Sequence, residues 1–100
     1  MEKISYIDFD GLLSIYYKMI EKSGGGSPGI LKEGNIRATL EFVQNDSYYP
    51  TFAEKLTYIV FSFCCGHCFT DGNKRIALTI GAAFLLHNGY LWAAKTFMEQ

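Results

Sequence analysis

The segment IALTIGAAFLL, residues Ile76–Leu86, most limits how this chain can fold. It is apolar on nearly every face of a helix, and such a helix must be covered on all sides by other parts of the protein. It is also too short to span a bilayer, which takes about 20 apolar residues, and it contains Thr79. The segment therefore predicts a buried central helix surrounded by other helices.

Apolar residues spaced three and four apart indicate two helices in the first half of the chain. The first runs from Ile7 to Lys22 and ends at SGGGSPG, where three glycines and a proline remove helical preference. The second runs from about Gly34 to Gln44. The glycine segment lacks the Gly-Lys-Ser/Thr ending of a P-loop, so we interpret it as a turn.

Two further helices have identifiable ends. Thr51 and Glu54 form a capping-box pattern, which opens a third helix that Gly66 ends. The central helix begins at Gly72 or the residue after it and ends near Gly89, which suits a left-handed C-cap. Residues 90–100 are left as a short helix or an extended segment.

No strand pattern is present, so the predicted fold class is all-α: a small helical bundle around a buried central helix, in one domain over residues 1–100. Aromatic residues at helical spacing are expected in its core. They are Tyr16, Tyr17, Phe52, Phe63 and Phe84.

Composition limits the class of protein and of partner. Hydrophobic residues make up 49% of the chain, which favours a packed globule over disorder. The net charge is −1 with no basic stripe, so direct nucleic-acid binding is not expected. The N-terminus lacks the apolar core of a signal peptide. These features predict a soluble, cytoplasmic protein that does not bind membranes, and they leave its oligomeric state open.

Three cysteines, Cys64, Cys65 and Cys68, lie within five residues. Their odd number and close spacing do not resemble a disulfide framework. A zinc site would need four ligands, and the next candidate beyond His67 is His87, so zinc is disfavoured. Buried free thiols are expected at Cys64 and Cys65.

The sequence HCFTDGNKR, residues 67–75, leads into the central helix. The first backbone amides of a helix lack intrahelical partners and lie at the positive end of its dipole. Gly72 allows a ligand to approach the backbone closely. Lys74 and Arg75 oppose the dipole unless an anion lies beside them, and a phosphate would stabilise them. The pattern therefore predicts an anion site at this helix start.

The remaining polar residues of this segment suit a phosphate reaction. Asp71 is a hard oxygen ligand for Mg²⁺, and Asn73 can donate to phosphate. His67 can take a proton from a hydroxyl. Phe69 is expected to fix the loop to the core. The alternative for each residue is structural: a helix cap, a solvated charge or a loop histidine.

These residues resemble the signature of the Fic/Doc superfamily, and within it the death-on-curing (Doc-like) toxin branch. That branch has the motif His-x-Phe-x-Asp-x-Asn-Lys-Arg. Each of its fixed positions is present here, and the similarity extends over about Gly24 to Tyr90. The matched motif residues are His67, Phe69, Asp71, Asn73, Lys74 and Arg75.

The resemblance implies an ATP- and Mg²⁺-dependent transferase that modifies a hydroxyl of a Ser, Thr or Tyr on a target protein. His67 would be the base, Asp71 would bind Mg²⁺, and the run from Gly72 through Arg75 would hold the nucleotide phosphates. A flap that aligns the target would correspond to the segment after the glycines. Its candidate residues are Gly26, Ser27, Gly29 and Ile30.

Two departures from the AMP-transferring branch bear on the reaction. That branch has a glycine where Lys74 stands and a second arginine where Leu78 stands. The resemblance therefore favours transfer of the terminal phosphoryl group, with a translation factor as the target. AMP transfer remains an alternative, and so does an inactive module that only binds nucleotide or a partner.

Three further expectations come from the same resemblance. A separate antitoxin chain would restrain the enzyme, because no inhibitory motif is visible in the sequence. The chain would lack a C-terminal helix that relatives carry after the position of Trp92. Cys68 replaces a proline found in many members and, next to the base, would make activity sensitive to oxidation.

Overall fold

The computed structural model describes residues 3–22 and 28–99 and contains five helices. In chain order they are α1 (Phe9–Lys22), α2 (Glu33–Phe42), α3 (Phe52–Cys65), α4 (Asn73–His87) and α5 (Leu91–Met98). Within these residues the only β-type pairing is a single bridge between Ile30 and Phe69. The predicted all-α class is confirmed.

Helix α4 lies at the centre of the bundle and packs against α1, α3 and α5. Its buried residues occupy most of the helix circumference, and Leu86 is exposed on the remaining face. They are Ile76, Ala77, Ile80, Gly81, Ala82, Phe84 and Leu85. No helix in the described part of the chain is long and apolar enough to cross a membrane.

Local capping chemistry sets the helix ends. The Asp8 carboxylate accepts the Gly11 N–H at 2.7 Å, which starts α1 two residues after the predicted Ile7. The Thr51 hydroxyl oxygen accepts the Glu54 N–H at 3.1 Å, confirming the predicted cap. The Glu54 carboxylate turns back to the Thr51 hydroxyl, 3.2 Å away.

The end of α4 is also the predicted one. Gly89 has φ +87°. The Tyr90 N–H donates to Leu85 O at 2.9 Å, and the Gly89 N–H donates to Leu86 O at 3.1 Å. This pair of bonds is the Schellman arrangement, which needs a left-handed residue at the position of Gly89. After it, the chain continues into α5, one of the two outcomes that the sequence left open.

Two burial predictions are wrong. Tyr17 is 47% exposed, because it is one residue beyond the fully buried Tyr16 and therefore about 100° around the helix. Cys65 is exposed and Cys64 only half-buried, since the last turn of α3 faces a groove between α2 and α3. The buried thiol of the three is Cys68. Among the other predicted core aromatics, Phe63 and Phe84 are fully buried and Phe52 is partly buried.

Candidate active site

The loop before α4 is held by backbone bonds to the chain after the glycine segment. The amides of Leu31 and Lys32 both donate to Cys68 O, at 2.8 and 3.2 Å. The Thr70 N–H donates to Gly29 O at 2.9 Å. Residues 29–32 and 68–70 therefore run side by side. The described part of the candidate flap is therefore hydrogen-bonded to the motif loop.

Phe69, the expected loop anchor, packs into the core. Its side chain is buried, and its ring stacks on that of Tyr16 with centroids 4.3 Å apart. The Asn73 side chain bonds to both backbone groups of Phe69. The side-chain amide of Asn73 therefore holds the loop, a role that the sequence did not indicate. Asn73 can still offer an anion its backbone N–H and the second hydrogen of Nδ2.

Helix α4 opens with backbone donors that have no hydrogen-bond partner among the described residues. Gly72 is left-handed, with φ +79°, and its carbonyl accepts the Ile76 N–H at 2.8 Å. That bond is the first i→i−4 bond of the helix, so the amides of Asn73, Lys74 and Arg75 precede the ladder. Residues Thr70–Arg75 line a polar concavity of about 340 Å³ at this end of the helix. Lys74 and Arg75 are both exposed on its wall.

Gly72 is suited to this position for two reasons. A side chain at φ +79° would be strained, and an added Cβ would lie 3.0 Å from the Met19 methyl group and 3.4 Å from Ile20 Cδ1. The glycine therefore lets the start of α4 lie close to α1.

Asp71 is exposed beside these amides, where it suits a metal–nucleotide complex. Its Oδ1 accepts the Gly72 N–H at 2.8 Å, which orients the carboxylate at the rim of the concavity. Within residues 3–22 and 28–99 no three His, Cys, Asp or Glu side chains cluster to hold a metal. One exposed carboxylate fits Mg²⁺, which commonly takes its other ligands from substrate phosphates and water.

His67 is exposed on the loop and adopts φ +50°, a left-handed conformation that few non-glycine residues adopt. The preceding peptide is fixed because Lys32 Nζ donates to Gly66 O at 3.1 Å. The lining of the concavity is drawn from residues 70–75, so His67 stands outside it. Such outliers are concentrated at functional sites, where the surrounding structure sustains them.

The flap candidates divide between described and undescribed residues. Gly29 and Ile30 lie in the segment paired with the motif loop, and an added Cβ on Gly29 would lie 2.6 Å from Thr70 Oγ1. Gly26 and Ser27 lie outside the described residues.

The structure does not favour oxidation at Cys68. The side chain is buried, and burial raises the pKa of its thiol, although nearby Lys32 acts in the opposite direction. A buried thiol with a raised pKa is protonated and poorly reactive at neutral pH. The expected redox sensitivity through Cys68 therefore lacks support in its surroundings.

Sequence reasoning missed two residues that contact this site. Lys32 holds Gly66 O, and the Tyr16 hydroxyl lies against the backbone of Asp71. The helical spacing of Tyr16 predicts only a core position and gives no sign of what its hydroxyl contacts. The only signal available was the presence of a tyrosine where a phenylalanine would pack equally well.

The model of the Fic/DOC family matches residues 6–85. The match spans α1 through most of α4, including the whole motif loop and the concavity. The chain therefore belongs to the Fic/DOC family. No curated protein matches the chain significantly.

Fic/DOC proteins generally transfer nucleotide-derived groups to protein targets, using ATP with Mg²⁺. The positive charges and free amides at the start of α4 suit such a nucleotide. The family and the site together define a Fic-type transferase fold.

Proposed function

We propose that this protein transfers the γ-phosphoryl group of ATP to a Ser, Thr or Tyr hydroxyl of a target protein. The observation that carries the proposal is the placement of Lys74 and Arg75 beside the unpaired amides of α4, around the concavity. Two cations at a helix N-terminus are unfavourable by about 0.3–1 kcal/mol each unless an anion lies there. A polyphosphate would reverse that cost.

The proposed reaction balances with the residues present. The target hydroxyl oxygen forms a bond to the γ-phosphorus, the bond from that phosphorus to the bridging oxygen breaks, and ADP leaves. His67 takes the hydroxyl proton. Because His67 is exposed on a loop, a side chain of another protein can reach it.

Asp71 would hold Mg²⁺ through its carboxylate, and Gly72–Arg75 would hold the phosphates. When bound, Mg²⁺ supplies positive charge that neutralises the phosphate oxygens. The backbone amides of Asn73–Arg75 are pre-oriented donors, so they need no reorganisation during transfer. The site therefore works mainly by positioning and charge, as phosphoryl transfer requires.

The choice of phosphoryl over AMP transfer rests on Lys74. An ammonium group at this position occupies part of the anion site that a glycine would leave open for an inner phosphate. This favours a nucleotide bound in the reversed orientation, from which the terminal phosphoryl group is transferred. Lys74 is exposed at the wall of the concavity, which is compatible with that role.

The proposal extends to the cellular setting. A component of the translation apparatus would be the target in the cytoplasm, and a separate antitoxin would restrain the enzyme. The apolar groove between α2 and α3, about 580 Å³ in volume, gives such a partner a surface beside the motif loop, since Gly66 and Cys68 line it. Induced expression of the protein alone and together with a candidate antitoxin would test for growth arrest and its relief.

The deciding experiment compares ATP labelled on the γ-phosphate with ATP labelled on the α-phosphate, using Mg²⁺ and a bacterial lysate. His67→Ala removes the proposed base, and His87→Ala, at the exposed far end of α4, is the matched control. We expect γ-label on a protein band with wild type and His87→Ala, and none with His67→Ala. Label from α-labelled ATP would instead establish AMP transfer. No label from either, with ATP binding that survives His67→Ala, would establish a binding module.

A further inference from the structure

Tyr16 connects two separate parts of the site. It is fully buried in the middle of α1. Its hydroxyl donates to Asp71 O at 3.1 Å and accepts the Gly29 N–H at 3.2 Å. The same residue thus contacts the backbone of the proposed metal ligand and the backbone at the base of the flap.

The two segments that meet at this hydroxyl are also joined to each other. The Thr70 N–H donates to Gly29 O at 2.9 Å, and Thr70 Oγ1 occupies the space where a side chain of Gly29 would lie. Because these contacts are close and directional, residue 29 and residue 71 cannot shift independently while the Tyr16 bonds persist. A phenylalanine at position 16 would make the same packing contacts, since it is the ring that stacks on Phe69.

We propose that Tyr16 is a positioning residue that couples the base of the flap to the Asp71 backbone, so that a target segment seated on the flap sets the metal–nucleotide site. This inference rests on the proposed function. The hydroxyl acts through Asp71 and Gly29 and touches neither substrate.

The test is Tyr16→Phe in the full chain, with Tyr17→Phe as the matched control on the adjacent, half-exposed position. Calorimetry would give the Kd of Mg²⁺·ATP, and steady-state transfer would give KM and kcat. Loss of one or two buried hydrogen bonds should raise the Kd and KM for Mg²⁺·ATP about three- to tenfold and leave kcat nearly unchanged. Tyr17→Phe should match wild type.

A purely structural role for Tyr16 would lower the melting temperature and leave Kd and KM at wild-type values well below that temperature. That result would overturn the inference. Backbone hydrogen exchange supplies a readout that needs no nucleotide. Tyr16→Phe should speed exchange at residues 28–32 and 67–72 together, and unchanged exchange in both segments would also overturn it.

A second variant covers the case in which Tyr16→Phe does not fold. Gly29→Ala places a Cβ against Thr70 Oγ1 and disturbs the same junction, whereas Gly34→Ala meets nothing within 4 Å. Gly29→Ala should raise the Kd for Mg²⁺·ATP and Gly34→Ala should not; equal values for the two would contradict the coupling. If the wild-type protein fails to bind Mg²⁺·ATP, the proposed function is refuted. Hydrogen exchange would still show whether Tyr16 couples Gly29 to Asp71.

Discussion

The Asn73 side chain satisfies both backbone groups of Phe69. The Phe69 N–H donates to Asn73 Oδ1 at 3.1 Å, and Asn73 Nδ2 donates to Phe69 O at 3.0 Å. The first residue of α4 therefore fixes the loop that precedes it. This arrangement holds the loop that carries His67 and Asp71, on either side of Phe69, against the first residue of the helix.

Replacing Asn73 with alanine should destabilise the protein. Asn73→Ala leaves the backbone N–H and C=O of the buried Phe69 without these partners, at a cost of about 1–3 kcal/mol in the free energy of unfolding. Urea unfolding would measure it. Asn35→Ala, at an exposed asparagine in α2, should change the free energy by less than about 0.5 kcal/mol. A loss no larger than that of the control would mean that the two bonds contribute little.

Substitutions at His67 should separate the strain in its backbone from the role of its imidazole. At φ +50° any residue with a Cβ is strained, whereas glycine is not. His67→Gly should therefore be more stable than His67→Ala by about 1 kcal/mol in urea unfolding. Both variants should lose protein labelling, since neither has an imidazole. Equal stability of the two variants would show that the loop relaxes its left-handed conformation when the imidazole is removed.

Gly72 and Gly89 separate the cost of backbone strain from the cost of a close contact with α1 beside the site. Both have positive φ, but a Cβ at Gly89 meets nothing within 4 Å, and one at Gly72 meets the Met19 methyl group at 3.0 Å. Each alanine variant should lose about 1–2 kcal/mol of stability. Gly72→Ala alone should weaken Mg²⁺·ATP binding in calorimetry. Weakened binding by Gly89→Ala as well would point to a general loosening of α4.

Lys55 should make stability decline at alkaline pH. The side chain is fully buried, and Nζ donates to Val43 O at 3.0 Å and to Asp46 Oδ1 at 2.8 Å. Burial lowers its pKa, but the hydrogen bond to Asp46 and the neighbouring Tyr6 outweigh burial, and the net pKa is raised above 10.5. Its contribution is therefore complete below pH 10.5 and lost as the pH rises through the higher pKa of the folded protein.

Urea unfolding at a series of pH values would test this expectation. Lys55→Met keeps most of the side-chain volume and removes the charge. The stability difference between wild type and Lys55→Met should shrink above pH 10.5. Lys18→Met, at an exposed position of α1, should retain the alkaline decline of wild type. A difference that stays constant up to the alkaline limit would contradict the raised pKa.

The cysteines should differ sharply in reactivity. Cys65 is exposed, and Cys68 is buried with a raised thiol pKa. A maleimide at pH 7 should label Cys65 first and leave Cys68 protected, as peptide mass spectrometry would show. In urea the two should react alike. Rapid labelling of Cys68 in the folded protein, or a change in peroxide sensitivity with Cys68→Ser, would restore the redox expectation.

The sequence by itself determined helices α1–α4 to within a few residues and the position of the candidate site, and it left the last segment open. The apolar run of α4, the cap at Thr51 and the left-handed Gly89 depend on periodicity and backbone chemistry within a few residues, so they are visible without a fold. The same is true of the anion site, because its amides and its cations belong to one helix turn.

Only the tertiary structure decided which side chains complete that site. The Tyr16 hydroxyl meets the Asp71 backbone across 55 residues of sequence, and Lys32 meets Gly66 across 34. Lys55 is a charged residue in α3, yet it is fully buried. Its hydrogen bonds are accepted by Val43 at the end of α2 and by Asp46 in the loop between α2 and α3. Hydrogen bonds between distant segments follow no period, because their partners come together only when the helices pack.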